Sequence, residues 1–143
     1  MVPDTIRVAL AEDNAGVRAG IRKLLSKARD IRVIGEASNG DGALQVVNDL
    51  EPDVLLLDVE LPLLSGIDVA REIKRTGKKT RVLVLSAYDD QEYIREMLFN
   101  GASGYLIKDE APDRILAAVR GVAQGNTDWI SPKVHEKLRN KNK

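Results

Sequence analysis

The chain has no cysteine, one histidine and few aromatic residues: Phe, Trp and Tyr make up 3% of 143 residues. Without cysteine there is no disulfide framework and no thiolate metal site. A single histidine leaves no basis for a histidine-rich zinc centre. Any core must be aliphatic. No apolar run approaches the ~20 residues of a membrane span, and the N-terminus lacks the apolar core of a signal peptide. A cytoplasmic protein with no membrane partner is the expectation. Net charge is missing too, with 22 Lys and Arg against 22 Asp and Glu. The balance is uneven, because residues 131–143 set Lys133, Lys137, Arg139, Lys141 and Lys143 against Glu136 alone. Such a basic tail is either a solvated helix or linker, or a sign of nucleic acid nearby. The body shows no basic patch of the kind that reads DNA.

What is present is an alternation of apolar periods, in a length suited to one domain. Ile6–Ala11, Ile31–Ala37, the run Val54-Leu55-Leu56-Leu57-Asp58-Val59, Arg81–Ala87 and Gly104–Lys108 read as strands. The third run is apolar without alternation, the pattern of a strand buried on both faces. Between them, apolar residues recur at helical spacing: Val17, Ile21, Leu24, Leu25 and Ala28 over residues 15–29; Ala43, Val46, Val47 and Leu50; Ile67, Ala70 and Ile73; Ile94, Met97 and Leu98; Ile115, Val119 and Val122. Ser65 is the expected N-cap of the third helix, and Pro112 sits in the first turn of the fifth. Five strand-then-helix units predict a parallel sheet with right-handed crossovers and helices on both faces. Residues 126–130 read as a connector. Ser131-Pro132 then reads as a helix start, with Val134 and Leu138 as a weak apolar stripe. Trp129 is expected to pack the connector against the last helix, and His135 to face solvent.

In a parallel sheet the C-terminal strand ends share one edge, where open α/β folds place their sites. Glu12 and Asp13, Asp58, Ser86 and Lys108 fall there. Each has a plain structural reading: Glu12 and Asp13 could cap the first helix, Lys108 could be a surface lysine, and Ser86 an ordinary loop residue. Together they suit one chemistry. Converging carboxylates resist joint ionisation, and Mg²⁺, which takes oxygen ligands and keeps several waters, resolves that. Asp58 would be the nucleophile of a phosphoryl transfer that gives an acyl phosphate. Mg²⁺ and Lys108 would hold the phosphoryl oxygens, with Ser86 donating to one.

The pattern Glu12-Asp13, Asp58-Val59-Glu60-Leu61-Pro62 with Gly66, Ser86-Ala87 and Lys108 resembles the receiver domain of two-component response regulators, over about residues 5–124. The resemblance implies a flavodoxin-like (CheY-like) five-stranded parallel sheet of order 2-1-3-4-5. It implies a sensor histidine kinase that donates the phosphoryl group to Asp58. Asp13, Asp58 and the backbone carbonyl of Glu60 would bind Mg²⁺ directly, with Glu12 acting through water. Ser86 and Tyr105 match the family's switch pair, and Glu60 and Tyr88 flank the site where side chains tune phosphoryl lifetime. Such a domain is no enzyme in the ordinary sense; it catalyses only its own phosphorylation and dephosphorylation. Gly101–Asp109 and Ile130–Val134 resemble the LuxR/FixJ-type transcriptional regulators. On that resemblance residues 1–125 form the receiver, and residues 126–143 lead as a linker or short helix toward a helix-turn-helix domain that the sequence lacks. DNA would be met only through that domain, and homodimers follow from the subfamily, not from any residue pattern. Asp109 departs from the proline that follows the lysine in many receivers, so no cis peptide is expected there. Leu61 replaces a common methionine. The alternatives are a stand-alone phosphorelay protein acting by protein contact, an aspartate-nucleophile phosphatase, and a pseudo-receiver that takes no phosphate.

Overall fold

The computed structural model describes residues 5–87, 91–125, 129–130 and 132–139, the side chains of Lys133 and Lys137 excepted. In chain order these form β1 (Ile6–Ala11), α1 (Ala15–Leu25), β2 (Ile31–Ala37), α2 (Gly40–Leu50), β3 (Val54–Leu57), α3 (Gly66–Arg75), β4 (Arg81–Ser86), α4 (Gln91–Phe99), β5 (Ala102–Ile107), α5 (Ala111–Ala123), β6 (Trp129–Ile130) and α6 (Pro132–Arg139). A single turn of 3₁₀ helix, Lys108–Glu110, joins β5 to α5.

The central strands split their side chains between two apolar layers, as a pleat buried on both faces requires. In β3, Val54 and Leu56 join Val8, Leu10, Leu83 and Leu85 in a layer closed by Ile21 and Leu25 of α1 and by Ile115, Val119 and Val122 of α5. Leu55 and Leu57 join Ala9, Ala11, Val82 and Val84 on the other face, under Val47 of α2, Val69 and Ile73 of α3, and Ile94 and Met97 of α4. Rings are nearly absent from both layers, although Tyr105 is fully buried in the second.

α1 stops earlier than its apolar period. The Ser26 N–H bonds to the Arg22 carbonyl at 3.0 Å, and the chain then tightens, with the Ala28 N–H on the Leu25 carbonyl at 3.1 Å. Ala28 is still buried, so the period survives while the helix does not. α3 begins as expected, with the Ser65 hydroxyl accepting from the Asp68 N–H at 3.2 Å.

The sheet has six strands, not five, in the order β2-β1-β3-β4-β5-β6. β6 pairs parallel to β5, Gly104 opposite Trp129 and Tyr105 opposite Ile130. Two residues carry no readable period, so the strand is invisible in the sequence. What admits it is Gly104, where a Cβ would lie 2.6 Å from the Trp129 carbonyl oxygen and 3.0 Å from Leu83. Trp129 packs into the layer that holds Val122 and Ala123 of α5. Beyond it α6 lays a fully buried Val134 and a partly buried Leu138 into the layer that contains Ile94, Met97 and Tyr105. His135 is exposed, and the expected cap Ser131 lies outside the described residues. Gly104→Ala is therefore expected to unseat β6. The sole tryptophan reports this directly, as a red-shifted emission with unchanged far-ultraviolet circular dichroism; an unshifted emission would contradict the close approach.

Candidate functional site

The parallel register carries the strand ends to one edge: Ala11 lies opposite Leu57, Leu57 opposite Val84, and Ser86 opposite Ile107. Glu12, Asp58 and Lys108 are the residues that follow these strands. Asp58 is drawn into the sheet by its own N–H, which donates to the Ala11 carbonyl at 3.0 Å. Its Oδ1 accepts from the Glu60 N–H at 3.1 Å, a local turn that orients the carboxylate.

Asp58 and Glu12 are buried, at 6% and 2% exposure. Two buried carboxylates need compensation, and Lys108 supplies it. Its Nζ donates to Glu12 Oε1 at 2.8 Å and to Asp58 Oδ2 at 3.2 Å. Burial pulls the Lys108 ammonium toward deprotonation. The hydrogen bond to Glu12 and the charges of Asp58 and Glu12 outweigh it, and the pKa rises above its ordinary value. Lys108 is thus a charged fixture of the site and no surface lysine.

The helix-capping reading of Glu12 and Asp13 is also excluded. The cap of α1 is Asn14, whose Oδ1 accepts from the Val17 N–H at 2.9 Å, while its own N–H donates to Glu12 Oε2 at 3.1 Å. Asp13 is left exposed beside the others. Glu12, Asp13 and Asp58 each offer one carboxylate oxygen, all within 4.8 Å of one another. One ammonium against three carboxylates leaves negative charge uncompensated. An all-oxygen donor set with solvent on one side fits a hard divalent cation such as Mg²⁺.

Ser86 is fully buried at the end of β4, and Tyr105 is fully buried in β5, so its ring lies inward. The Glu60 side chain is exposed at the rim. Tyr88 lies outside the described residues. Tyr93, on α4, was not foreseen. Burial, then the charges of Glu60, Glu96 and Asp58, raise its pKa, so its phenol stands near the acidic edge. Position alone brings it there; its apolar neighbours Ile94 and Met97 hide it within a helical period.

Two clefts lie elsewhere: one near 420 Å³ at the opposite strand edge beside Pro52, Asp53, Thr80 and Arg81, and one near 480 Å³ between α2 and α3 beside Leu44, Leu64, Arg71 and Arg75. Among the described residues, the gap lined by Glu12, Ile21, Asp58 and Leu85 at the acidic edge is too tight to hold a water molecule. A site that accepts a small charged group needs converging charges more than depth.

The family of the response regulator receiver domain matches residues 8–120. The chain belongs to that family. As a receiver it is 39% identical over 125 residues to YxjL of Bacillus subtilis, described as an uncharacterized transcriptional regulatory protein, covering 87% of this chain and 57% of that one. It is 36% identical over 136 residues to the oxygen regulatory protein NreC of Staphylococcus carnosus, covering 94% of this chain and 62% of that one. The chain thus spans about three-fifths of the length of these relatives. Among solved structures, the signal receiver domain of the response regulator NarL from Mycobacterium tuberculosis superposes with a TM-score of 0.84 at 36% identity, covering 86% of this chain and 99% of that one. A LuxR-family two-component response regulator from Aurantimonas gives 0.91 at 25% identity, covering 97% and 99%. The departures from the family pattern are mild: Leu61 is buried in the core, and no cis peptide occurs among the described residues. Among those residues no helix is long and apolar enough to cross a membrane.

Proposed function

We propose that this receiver accepts a phosphoryl group on Asp58 from a histidine kinase and passes the change on to a transcriptional output. The observation that carries the reading is the Lys108 ammonium held between Asp58 and Glu12, with Asp13 beside them, at the C-terminal edge of a parallel sheet. An oxygen of Asp58 attacks phosphorus; the P–O bond forms as the bond from phosphorus to the donor's leaving group breaks, so the chain gains an acyl phosphate. Lys108 neutralises charge on the transferring phosphoryl oxygens. Asp13, Asp58 and the Glu60 carbonyl would hold Mg²⁺ directly and Glu12 through water, and the ion would supply further neutralisation there. Asp58 is oriented for the attack by the Glu60 N–H, and its burial keeps bulk water from competing. Hydrolysis of the acyl phosphate at the same site returns the domain to its starting state.

Phosphorylation places about −1.5 to −2 of charge at the edge. Ser86 is the hydroxyl within β4 suited to meet it, and Tyr105 is the ring on the neighbouring strand that moves with it. Together they bias two arrangements of α4 and β5. Glu60 and Tyr88 tune the lifetime. The relatives' names describe transcriptional and oxygen regulatory proteins, and this chain spans about three-fifths of their length, which supports a DNA-binding output; homodimers and a cytoplasmic setting belong to the same reading.

Incubation with Mg²⁺ and acetyl phosphate tests the reading by intact mass. One phosphoryl adduct is expected on wild type, none in excess EDTA and none on Asp58→Asn. Equal labelling of Asp58→Asn would remove Asp58 from the role.

A further inference from the structure

The exposed Asp13 has no hydrogen-bond or ion-pair partner among the described residues. Its direction is therefore set by the backbone that carries it. That backbone leaves β1 at Ala11, where the ladder ends. The Glu12 N–H still finds the Ala37 carbonyl at 3.0 Å. The Glu12 carbonyl, one half of the peptide plane shared with Asp13, finds no strand. It accepts instead from Arg18 Nη1 at 2.7 Å.

Arg18 is itself held. Its Nε lies 3.3 Å from Glu36 Oε1, and its side chain is 22% exposed. Glu36 stands opposite Leu10 in the β1–β2 register, and Arg22 Nη1 grips both its oxygens at 3.0 and 2.9 Å. A chain of contacts thus runs from β2 through Glu36 to Arg18 and on to the Glu12–Asp13 peptide.

We propose that Arg18 is a positioning residue for the divalent-cation site: braced by Glu36, its guanidinium fixes the Glu12–Asp13 peptide and so aims the Asp13 carboxylate at the cluster. The inference rests on the acidic cluster being a metal site, as argued under the proposed function. Supporting groups one step removed from a metal ligand commonly tune affinity in this way.

The effect has a sign that separates it from simple electrostatics. Arg18 is a cation near a cation site, so removing its charge alone tightens Mg²⁺. Removing its grip on the peptide weakens Mg²⁺. The experiment is a Mg²⁺ titration of the whole chain by calorimetry, with Mn²⁺ paramagnetic resonance as a second probe and no phosphodonor present. Arg18→Met is expected to weaken binding about tenfold. Arg18→Lys, which keeps one donor, recovers part of the loss. Arg18→Gln, which removes the same charge and falls short of the Glu12 carbonyl, weakens binding likewise and carries the test if Arg18→Met does not fold. With acetyl phosphate added, the Mg²⁺ concentration for half-maximal labelling rises in Arg18→Met, while the rate at saturating Mg²⁺ matches wild type. Unchanged or tighter Mg²⁺ binding in Arg18→Met, or in Arg18→Gln where Arg18→Met does not fold, overturns the positioning role. Failure of wild type to bind Mg²⁺ overturns the reading of the site itself, and this inference with it.

Discussion

Lys108→Met is expected to slow labelling of Asp58 by about two to three orders of magnitude at saturating Mg²⁺, the scale of losing one preorganised donor to a developing charge. The same substitution is expected to destabilise the metal-free protein at pH 7. Glu12 and Asp58 expose 3% and 8% of their side chains, and Lys108 is their shared cation, 28% exposed. Removing one partner of a fully buried pair costs ~3–5 kcal/mol; with solvent reaching the lysine, about 2 kcal/mol is the expected loss. Urea unfolding without metal measures it. Added Mg²⁺ narrows the gap, since a divalent cation offsets the same carboxylates. A labelling rate equal to wild type would show that Lys108 serves structure alone. Unaltered stability would show that solvent, not Lys108, compensates the two carboxylates.

Gly66→Ala is expected to cost about 2–3 kcal/mol, the upper range for forced overpacking, and to impair the site as well. A Cβ there would stand 2.5 Å from the Val59 Cα and 2.8 Å from the Asp58 carbonyl oxygen. Both obstacles are backbone, so no rotamer change relieves them. The Gly66 N–H also donates to the Val59 carbonyl at 3.1 Å, pinning α3 against the end of β3. Pushing α3 away moves the segment containing Glu60, whose N–H holds Asp58 Oδ1. Thermal unfolding and Mg²⁺ affinity should both fall. Gly20→Ala is the control: nothing lies within 4 Å of its Cβ, and the substitution should be neutral or stabilising by up to about 1 kcal/mol. Equal behaviour of the two variants would mean that the close approach at Gly66 relaxes freely.

Much of this molecule is written locally. The aliphatic run Val54–Leu57 announces a strand buried on both faces, because only a doubly covered strand tolerates four apolar residues in succession. The helical periods marked by Ile21 and Leu25, by Val69 and Ile73, and by Ile115 and Val119 belong to faces that turn inward; all but Val69 were legible in advance. Ser65 caps α3 as its hydroxyl allows. The acidic edge was legible for a topological reason: once strands alternate with helices, their C-terminal ends must converge, and the chemistry of those ends can be read in order.

Other features depend on residues far apart in the chain, and no local period encodes them. β6 exists because Gly104 leaves room for the Trp129 carbonyl. α6 is placed by Val134 entering a layer built by α4 and β5. Arg18 reaches the Glu12 carbonyl from a helix position that reads as ordinary surface.

By itself, then, the sequence determined the strand and helix alternation, the aliphatic core and the identity of the edge residues, since these follow from side-chain period and chain direction. Only the tertiary structure decided which charges meet. It placed Lys108 between Glu12 and Asp58, 96 and 50 residues away, gave the α1 cap to Asn14, and left Asp13 without a side-chain partner among the described residues. The physical reason is that pairing a buried charge is a matter of distances of about 3 Å in a low-dielectric edge, and such distances are set by the packing of the whole sheet.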